Sequence, residues 1–231
     1  MALPFFYISN YKNEQQVVLD EDTSRHVVQV LRMKAGEQLN LTDGRGNLLT
    51  CVITEEHKKH CTVAVKQTHY TEPPKRKVSI AISLLKNSNR FEWFLEKATE
   101  IGVNEIVPLI CERTEKEKFR YERMNTICIS AMLQSQQCWL PVLYEPVEFE
   151  KVVISCQVQQ KLIAHCEDGP KNQLTNQPVD QSSLILIGPE GDFAPKEIEL
   201  ALQNSYCPVS LGNTRLRTET AGVVAATLLC L

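Results

Sequence analysis

Long hydrophobic runs are missing from this sequence, and glycine is scarce. Among 231 residues there are 9 Gly and 11 Pro, and 43% of the residues are hydrophobic. No apolar stretch approaches the roughly 20 residues that a membrane-spanning helix needs. The first residues, from Met1 to Pro4, do not start a basic-then-apolar signal segment. We therefore expect a globular cytoplasmic protein with a core of ordinary size and no membrane partner.

Paired cysteines are also missing. The nine cysteines are scattered and none forms a C-x-x-C pair, which argues against a zinc ribbon or a disulfide framework. The nearest metal-ligand pattern is His57, His60 and Cys61. It follows two glutamates and is interleaved with Lys58 and Lys59, as is typical of a solvated hairpin tip. The sequence therefore predicts reduced, mostly packed thiols and no metal site.

An excess of positive charge is the third absence. The chain has 25 Lys and Arg against 28 Asp and Glu, a net charge of −3. A protein that grips nucleic acid over a wide surface is usually basic. The basic residues are nevertheless clustered at residues 58–60, 75–77 and 113–123. Such clusters are often solvated faces, so charge alone leaves RNA binding open.

Two different patterns divide the chain. Residues 1–72 show short, alternating apolar segments, typical of a small β-barrel or sheet, with one helix in which Val27, Val30 and Leu31 recur after a cap at Asp22-Thr23. Residues 73–77 begin with two prolines and are predicted to be a linker. In residues 78–231, buried strands alternate with amphipathic helices, which indicates a parallel α/β sheet.

Three predicted strand ends in the last third of the chain are candidate ligand sites. Ligands of parallel α/β sheets bind beyond the carboxyl ends of the strands. The ends are residues 165–169, 188–193 and 212–220. Gly188 and Gly191 let the backbone turn and approach a ligand closely, although a plain turn also needs glycine. No Gly-Lys-Ser/Thr follows, so this is not a P-loop.

Arg217 and Glu219 lie at a predicted strand-to-helix junction, before a helix that we expect Thr218 to cap. Polar side chains at this position can reach a ligand. They can equally form an Arg–Glu pair on the surface, which would contribute little energy. The residue chemistry alone does not decide between the two.

Together and in order, these segments resemble the ribosomal RNA small subunit methyltransferase E family over nearly the whole chain. The matching stretches are residues 25–36, Asp43-Gly44-Arg45-Gly46, residues 96–103, Gln134-Ser135 before Leu140-Pro141, residues 187–193, Ser210-Leu211-Gly212 and residues 216–221. Each motif alone is moderately specific, and the ordered set is strong.

Several positions depart from that family's usual pattern. Asp192 replaces a common second glycine, and Ala194 replaces a common capping serine. Leu133 and Gln137 replace a usual Glu and Arg, and Leu3 stands where an arginine is frequent. The missing arginines put the RNA contacts in question, whereas the glycine loops are intact.

The resemblance implies a PUA-like N-terminal β-barrel and a SPOUT-type catalytic domain with a C-terminal trefoil knot. It also implies a homodimer that uses S-adenosylmethionine to methylate uracil N3 in 16S ribosomal RNA of the small subunit. An arginine stays protonated, so Arg217 is expected to stabilise the deprotonated uracil, and Glu219 to orient Arg217 or the substrate.

The resemblance further implies binding residues. The expected cofactor-binding residues are Leu186, Ile187, Gly188, Pro189, Glu190, Gly191, Leu211, Gly212, Leu216, Arg217, Thr220 and Ala221. In the small domain, Arg25, Arg32 and Lys34 are the candidates for RNA phosphates. Arg25 and Arg32 could instead be ordinary charges on a helix surface.

Two other functions are compatible with the sequence. One is a non-catalytic RNA-binding or assembly factor, against which the intact glycine loop and the Arg217-Thr218-Glu219 stretch argue. The other is an enzyme that binds a nucleotide such as NAD. The lack of G-x-G-x-x-G after the first strand of the α/β domain counts against it.

Overall fold

The computed structural model describes residues 3–115, 118–178 and 181–231. The strands are β1 (Phe5–Tyr7), β2 (Gln16–Val18), β3 (Gln38–Thr42), β4 (Asn47–Glu55), β5 (Thr62–Tyr70), β6 (Val78–Ser83), β7 (Glu105–Ile110), β8 (Val142–Leu143), β9 (Val147–Glu148), β10 (Gln160–Ala164), β11 (Asn172–Gln173), β12 (Ser183–Ile187) and β13 (Cys207–Ser210). The α-helices are α1 (Glu21–Arg25), α2 (Ser88–Ile101), α3 (Tyr121–Gln134), α4 (Phe149–Ser155), α5 (Pro195–Gln203) and α6 (Thr218–Cys230). A π-helix covers His26–Val30 and a 3₁₀ helix covers Leu174–Asn176. In these described parts, no helix has the length and apolar character needed to cross a membrane.

The chain forms two compact units. The N-terminal unit comprises the residues up to Pro73 together with Met132–Leu140, and the C-terminal unit comprises Pro74–Ala131 and Pro141–Leu231. The division falls between the two prolines of the predicted linker. Nothing in the sequence pattern indicated that residues 132–140 would join the N-terminal unit.

The N-terminal unit is built on a five-stranded sheet in the order β1-β3-β4-β5-β2. The β1–β3 pair is parallel and the other pairs are antiparallel. Alternate side chains of a strand point to one face of the sheet, which places Leu39, Leu41, Leu49, Ile53 and Val63 in a common core. The expected small β domain is therefore present.

The helix that interrupts this sheet differs from the prediction. Its cap is Asp20, whose carboxylate accepts the Thr23 N–H, rather than Asp22-Thr23. After Arg25 the helix widens into the π-helix, in which the Leu31 N–H donates to the His26 carbonyl. The wider turn breaks the 3.6-residue spacing, so only Val27 is buried, while Val30 is 65% exposed.

Residues 132–140 are tied to the N-terminal unit by backbone contacts at its Gly44–Gly46 turn. The Gly46 N–H donates to the Cys138 carbonyl, and the Leu140 N–H donates to the Gly44 carbonyl. Gly46 has a φ of 94°, and a Cβ there would lie 2.7 Å from the Thr71 carbonyl oxygen. This close approach explains why glycine follows Arg45 in the turn.

The C-terminal unit is built on an eight-stranded sheet in the order β11-β13-β10-β12-β6-β7-β8, with β9 also paired to β7. All of these pairs are parallel, which confirms the predicted sheet type. The strands β6 and β12 are wholly buried, as their unbroken apolar sequences require.

Two helices of this unit differ in how their first turns are capped. Helix α2 starts at Ser88 because the Asn87 side chain caps it by accepting the Asn89 N–H. Helix α6 starts at Thr218, but its N-cap is Arg217, which makes no side-chain capping bond. The prediction that Thr218 caps this helix is wrong, since Thr218 is already inside the first turn.

Helix α6 packs so closely on helix α2 that Gly222 has no room for a side chain. A Cβ there would lie 2.6 Å from Phe94 Cε2 and 2.9 Å from Ile82 Cδ1. We expect Gly222→Ala to lower the free energy of unfolding by about 1–3 kcal/mol through overpacking, which outweighs the gain in helix propensity. Urea unfolding measures the change.

The contact with Phe94 supplies the control for this prediction. If overpacking is the cause, Phe94→Leu makes room, and the double variant loses less stability than the two single changes added together. Additive losses, or a Gly222→Ala protein that is more stable than the wild type, would contradict the packing explanation.

Candidate functional site

Three strand ends meet at one edge of the parallel sheet. Strands β13, β10 and β12 are direct neighbours, and the register pairs Ala164 of β10 with Ile187 of β12 and Val209 of β13. Because the strands are parallel, the segments that leave them lie side by side. The sheet therefore brings together the three segments that the sequence indicated as candidate sites.

Two cavities open among these segments. The strand-β13 cavity has a volume of about 430 Å³, and its lining is Ala164, His165, Cys166, Lys171, Val209, Ser210, Leu211, Gly212, Asn213, Thr214, Arg215, Leu216 and Ala221. The glycine-loop cavity has a volume of about 230 Å³, and its lining is Arg90, Ala164, Cys166, Ile187, Gly188, Pro189, Glu190, Gly191, Asp192, Arg215, Leu216, Arg217, Thr218 and Ala221. Five residues line both cavities, so the two are adjacent parts of one site.

The glycine loop, residues 188–193 after strand β12, has a left-handed backbone at two consecutive residues. Gly191 has a φ of 92° and Asp192 a φ of 74°. Aspartate tolerates this region better than most residues because its short side chain bonds to nearby backbone. Here the Asp192 carboxylate accepts the Cys166 N–H at 2.7 Å and the Phe193 N–H at 2.9 Å. The aspartate that replaces a glycine thus joins the loop to the end of β10.

Arg113 holds the same loop from another side. Its Nη1 donates to the Gly191 carbonyl at 2.6 Å and to the Phe193 carbonyl at 3.3 Å. Sequence reasoning had assigned Arg113 only to a mixed charge cluster. Its role depends on a contact across 78 residues of chain, which no local pattern indicates.

A buried carboxylate fastens the start of helix α5. Glu197 is 7% exposed, and its two oxygens accept the Glu112 N–H at 2.9 Å and the Ala194 N–H at 2.8 Å. The N-cap residue Ala194 has no side chain that could cap the helix. Glu197 therefore supplies half of a capping box and also connects β7 to the glycine loop.

Glu219 pairs with an arginine that the sequence did not single out. Its Oε1 lies 3.6 Å from Nε of Arg90, which belongs to the first turn of helix α2. Glu219 is buried, so the alternative of a surface pair with Arg217 is wrong. Arg217 lines the glycine-loop cavity, and the described residues include no ion-pair partner for it.

Most of the predicted cofactor-binding residues line the two cavities. Those that do are Ile187, Gly188, Pro189, Glu190, Gly191, Leu211, Gly212, Leu216, Arg217 and Ala221. Leu186 and Thr220 line neither cavity, and Leu186 is fully buried in the sheet.

The predicted RNA-binding residues lie in the N-terminal unit. Arg25 pairs with Glu21 and Asp22, and Lys34 pairs with Glu56, all on the exposed surface. Arg32 is exposed and has a left-handed backbone, with a φ of 57°. Arg25 lies exposed in the last turn of helix α1, where both its ion pairs are accessible to solvent.

The histidines near residue 60 form a hairpin tip. His57 and His60 stack with ring centroids 5.4 Å apart, in the connection between β4 and β5. Cys61 is buried. No group of three or more potential metal ligands occurs in the parts of the chain that the structure describes.

His165 is a site residue that sequence reasoning mentioned but did not select. It lines the strand-β13 cavity, and its two ring nitrogens are buried without a hydrogen-bond partner in the described structure. Burial lowers the pKa of His165 below its ordinary value, and the nearby Lys171 lowers it further. The neutral ring is therefore favoured at this position.

Comparison with known proteins identifies similar sequences and folds. A family described as the RNA methyltransferase domain matches residues 71–230, and one described as the RNA methyltransferase PUA domain matches residues 19–66. The curated ribosomal RNA small subunit methyltransferase E of Synechocystis is 30% identical over 221 residues, which cover 92% of this chain and 72% of that protein.

Solved structures share the whole fold. A probable rRNA-methyltransferase from Porphyromonas gingivalis is 41% identical with a TM-score of 0.91, covering 97% of this chain and 95% of the other. A ribosomal RNA small subunit methyltransferase E from Neisseria gonorrhoeae, bound to S-adenosyl methionine, is 27% identical with a TM-score of 0.86, again over 97% and 95%. The N-terminal unit is accordingly PUA-like.

The part-buried ring of His165, with its two buried nitrogens, gives a prediction about pH. Because its pKa is lowered in the folded protein, the unfolded chain takes up a proton first as the pH falls through about 6.5. The contribution of His165 to stability is then complete above that pH and is lost below it. An NMR titration, with the signal assigned by His165→Asn, should place the ring midpoint below 6.5. A midpoint at or above 6.5 would contradict this account of the site.

Proposed function

Because the chain belongs to the ribosomal RNA small subunit methyltransferase E family, we propose that it methylates N3 of a specific uridine in 16S ribosomal RNA, with S-adenosylmethionine as donor. The observation that carries the proposal is the joined pair of cavities. Glycine-bearing loops from β12 and β13 meet there beside Arg217, which has no ion-pair partner among the described residues.

The residues present fit this cofactor. A Cβ at Gly191 or at Gly212 would meet no atom within 4 Å, and the φ of Gly212 is 139°. Both glycines thus leave open space at the cavity surface for a ligand to approach the backbone. The apolar side chains of Ile187 and Leu216 suit an adenosine, and backbone groups of the loops can bind its polar edges. The ten predicted residues that line the cavities would hold the cofactor. Leu186 and Thr220 would support the neighbouring residues that contact it.

Uracil N3 carries a proton and is a poor nucleophile until that proton is lost. When bound, S-adenosylmethionine would supply a methyl group that its positively charged sulfur activates for transfer, with S-adenosylhomocysteine as the product. The enzyme must mainly align the two reactants. Arg217 stabilises the uracil anion left when N3 gives its proton to a hydroxide ion, which becomes water. Glu219 helps to orient the substrate for this step.

The PUA-like unit positions the RNA in this proposal. Arg25, Arg32 and Lys34 contact phosphates, which fixes the register of the substrate without reading its sequence. The carboxylates that pair with Arg25 and Lys34 are exposed. Exposed ion pairs contribute only about 0–1 kcal/mol, so RNA phosphates can displace them.

Dimer formation, a trefoil knot and a cytoplasmic location complete the proposal. Helix α6 carries the part-exposed apolar residues Val223, Val224 and Leu228, which suit a second copy of the chain.

Strand β13 pairs with β10 and not with its predecessor β12, and α6 returns to pack on α2 and β6, as a knotted path requires. All nine cysteines are free, as is usual in a reducing compartment.

Two measurements test the function. Calorimetry should detect S-adenosylmethionine or S-adenosylhomocysteine binding, but not NAD or ATP. Labelled methyl transfer to 16S RNA or small subunits, followed by nucleoside analysis, should yield 3-methyluridine. Gly212→Val, whose side chain would enter the cavity, is the matched negative variant. Binding of NAD alone contradicts the proposal, and RNA binding without methyl transfer supports an assembly factor.

Arg217 is expected to act on turnover more than on cofactor affinity. Arg217→Ala removes the charge that stabilises the uracil anion, so turnover should fall by about two to three orders of magnitude. The lost rate should recover partly as the pH rises, because uracil then ionises without help. Steady-state kinetics across pH, with calorimetry of S-adenosylhomocysteine, measures both effects. Loss of cofactor binding together with turnover would show that Arg217 is a cofactor clamp or a structural residue.

A further inference from the structure

Arg90 places a third arginine at the glycine-loop cavity, besides Arg215 and Arg217. It lines that cavity together with Gly188, Glu190 and Arg217. The residue sits in the first turn of helix α2, which follows the end of β6, so it is separated from the other lining segments by more than 70 residues of sequence. Its side chain is 39% exposed, which leaves part of the guanidinium accessible from the cavity.

Glu219 holds this guanidinium from one side. The contact joins Glu219 Oε1 to Nε of Arg90 at 3.6 Å, and the Glu219 side chain is only 9% exposed. Its other oxygen, Oε2, is buried without a hydrogen-bond partner in the described structure. A guanidinium is planar and rigid, so an anion at Nε restrains the plane and leaves the two terminal nitrogens for another partner. No side-chain partner of those nitrogens occurs among the described residues.

We propose that Arg90 is a ligand-binding residue of the glycine-loop cavity and that Glu219 positions it. The two terminal nitrogens bind oxygen atoms of the ligand, since arginine matches planar groups that carry paired oxygens. The inference rests on the proposed function, in which two groups bring such oxygens to the cavity. One is the carboxylate on the methionine part of the cofactor. The other is a uracil carbonyl oxygen beside N3, which can accept from the guanidinium while N3 itself stays open to the methyl group.

Calorimetry and kinetics of Arg90→Ala distinguish the two sources. S-adenosylhomocysteine has the carboxylate, whereas 5′-methylthioadenosine lacks it. If Arg90 binds the carboxylate, the variant should bind S-adenosylhomocysteine about 10- to 100-fold more weakly and methylthioadenosine normally. If Arg90 binds the uracil, both affinities should stay unchanged and kcat/KM for the RNA should fall by a similar factor. Changes below about twofold in every measurement would overturn the proposal.

Glu219 is tested through its dependence on Arg90. Glu219→Gln should weaken the same step as Arg90→Ala, and it should add nothing further in the Arg90→Ala background, because a positioning residue acts only through its partner. Additive losses would contradict the positioning role, since a merely structural carboxylate would affect both backgrounds alike.

Arg90→Lys guards against a loss of folding. Lysine keeps a positive charge beside the buried Glu219 but lacks the planar pair of donors. We expect thermal unfolding close to that of the wild type, with most of the ligand-binding defect retained. A folded Arg90→Lys protein with wild-type affinity and kcat/KM would contradict the proposed contact.

Arg123→Ala is the matched control. It removes another arginine–glutamate pair, in which Nε of Arg123 in helix α3 lies 2.7 Å from Oε1 of Glu92 in helix α2. Neither residue lines the glycine-loop cavity. It should change neither binding nor kinetics. Wild-type protein that fails to bind S-adenosylhomocysteine would contradict the proposed function itself. Normal wild-type binding and methylation with an unaffected Arg90→Ala would contradict only this inference.

Discussion

The parallel pairing of β13, β10 and β12 is the constraint on which the site depends. Parallel neighbours send their carboxyl ends to the same edge, so three segments that are 20 or more residues apart leave the sheet together. The wholly buried β12 lies between β10 and β6, which anchors this group in the middle of the sheet. The cavities open where the three segments leave the sheet.

Three carboxylates then hold the segments that follow the strands, and two of them, Glu197 and Glu219, are buried. Glu197 satisfies two backbone N–H groups at the start of α5, and the Asp192 carboxylate satisfies two more at the glycine loop. Glu219 differs from both because its partner is a side chain, Arg90. Each of these carboxylates restrains the element that supplies its partner, because a hydrogen bond or ion pair to a carboxylate is stronger than one between neutral groups.

The close packing of α6 extends this restraint to the back of the site. Gly222 lets the helix approach Phe94 and Ile82, and the same helix begins at Thr218, directly after Arg217. The position of Arg217 at the cavity is therefore linked to the packing of an apolar helix on α2 and β6. Two of the three arginines that line the glycine-loop cavity are placed by these helices: Arg90 lies in α2 and Arg217 directly precedes α6, and the two helices contact each other.

The sequence by itself determined the classes of element and the strand ends whose following segments line the two cavities. Unbroken apolar runs predicted buried parallel strands, and the glycines after Ile187 and Leu211 marked the loops, because both signals are local. It could not identify Arg90 or Arg113, whose partners Glu219 and Gly191 lie 129 and 78 residues further along the chain. Neither could it indicate that residues 132–140 would join the N-terminal unit. Those features depend on which segments the folded sheet and helices bring into contact, and the spacing of residues along a chain carries no information about that.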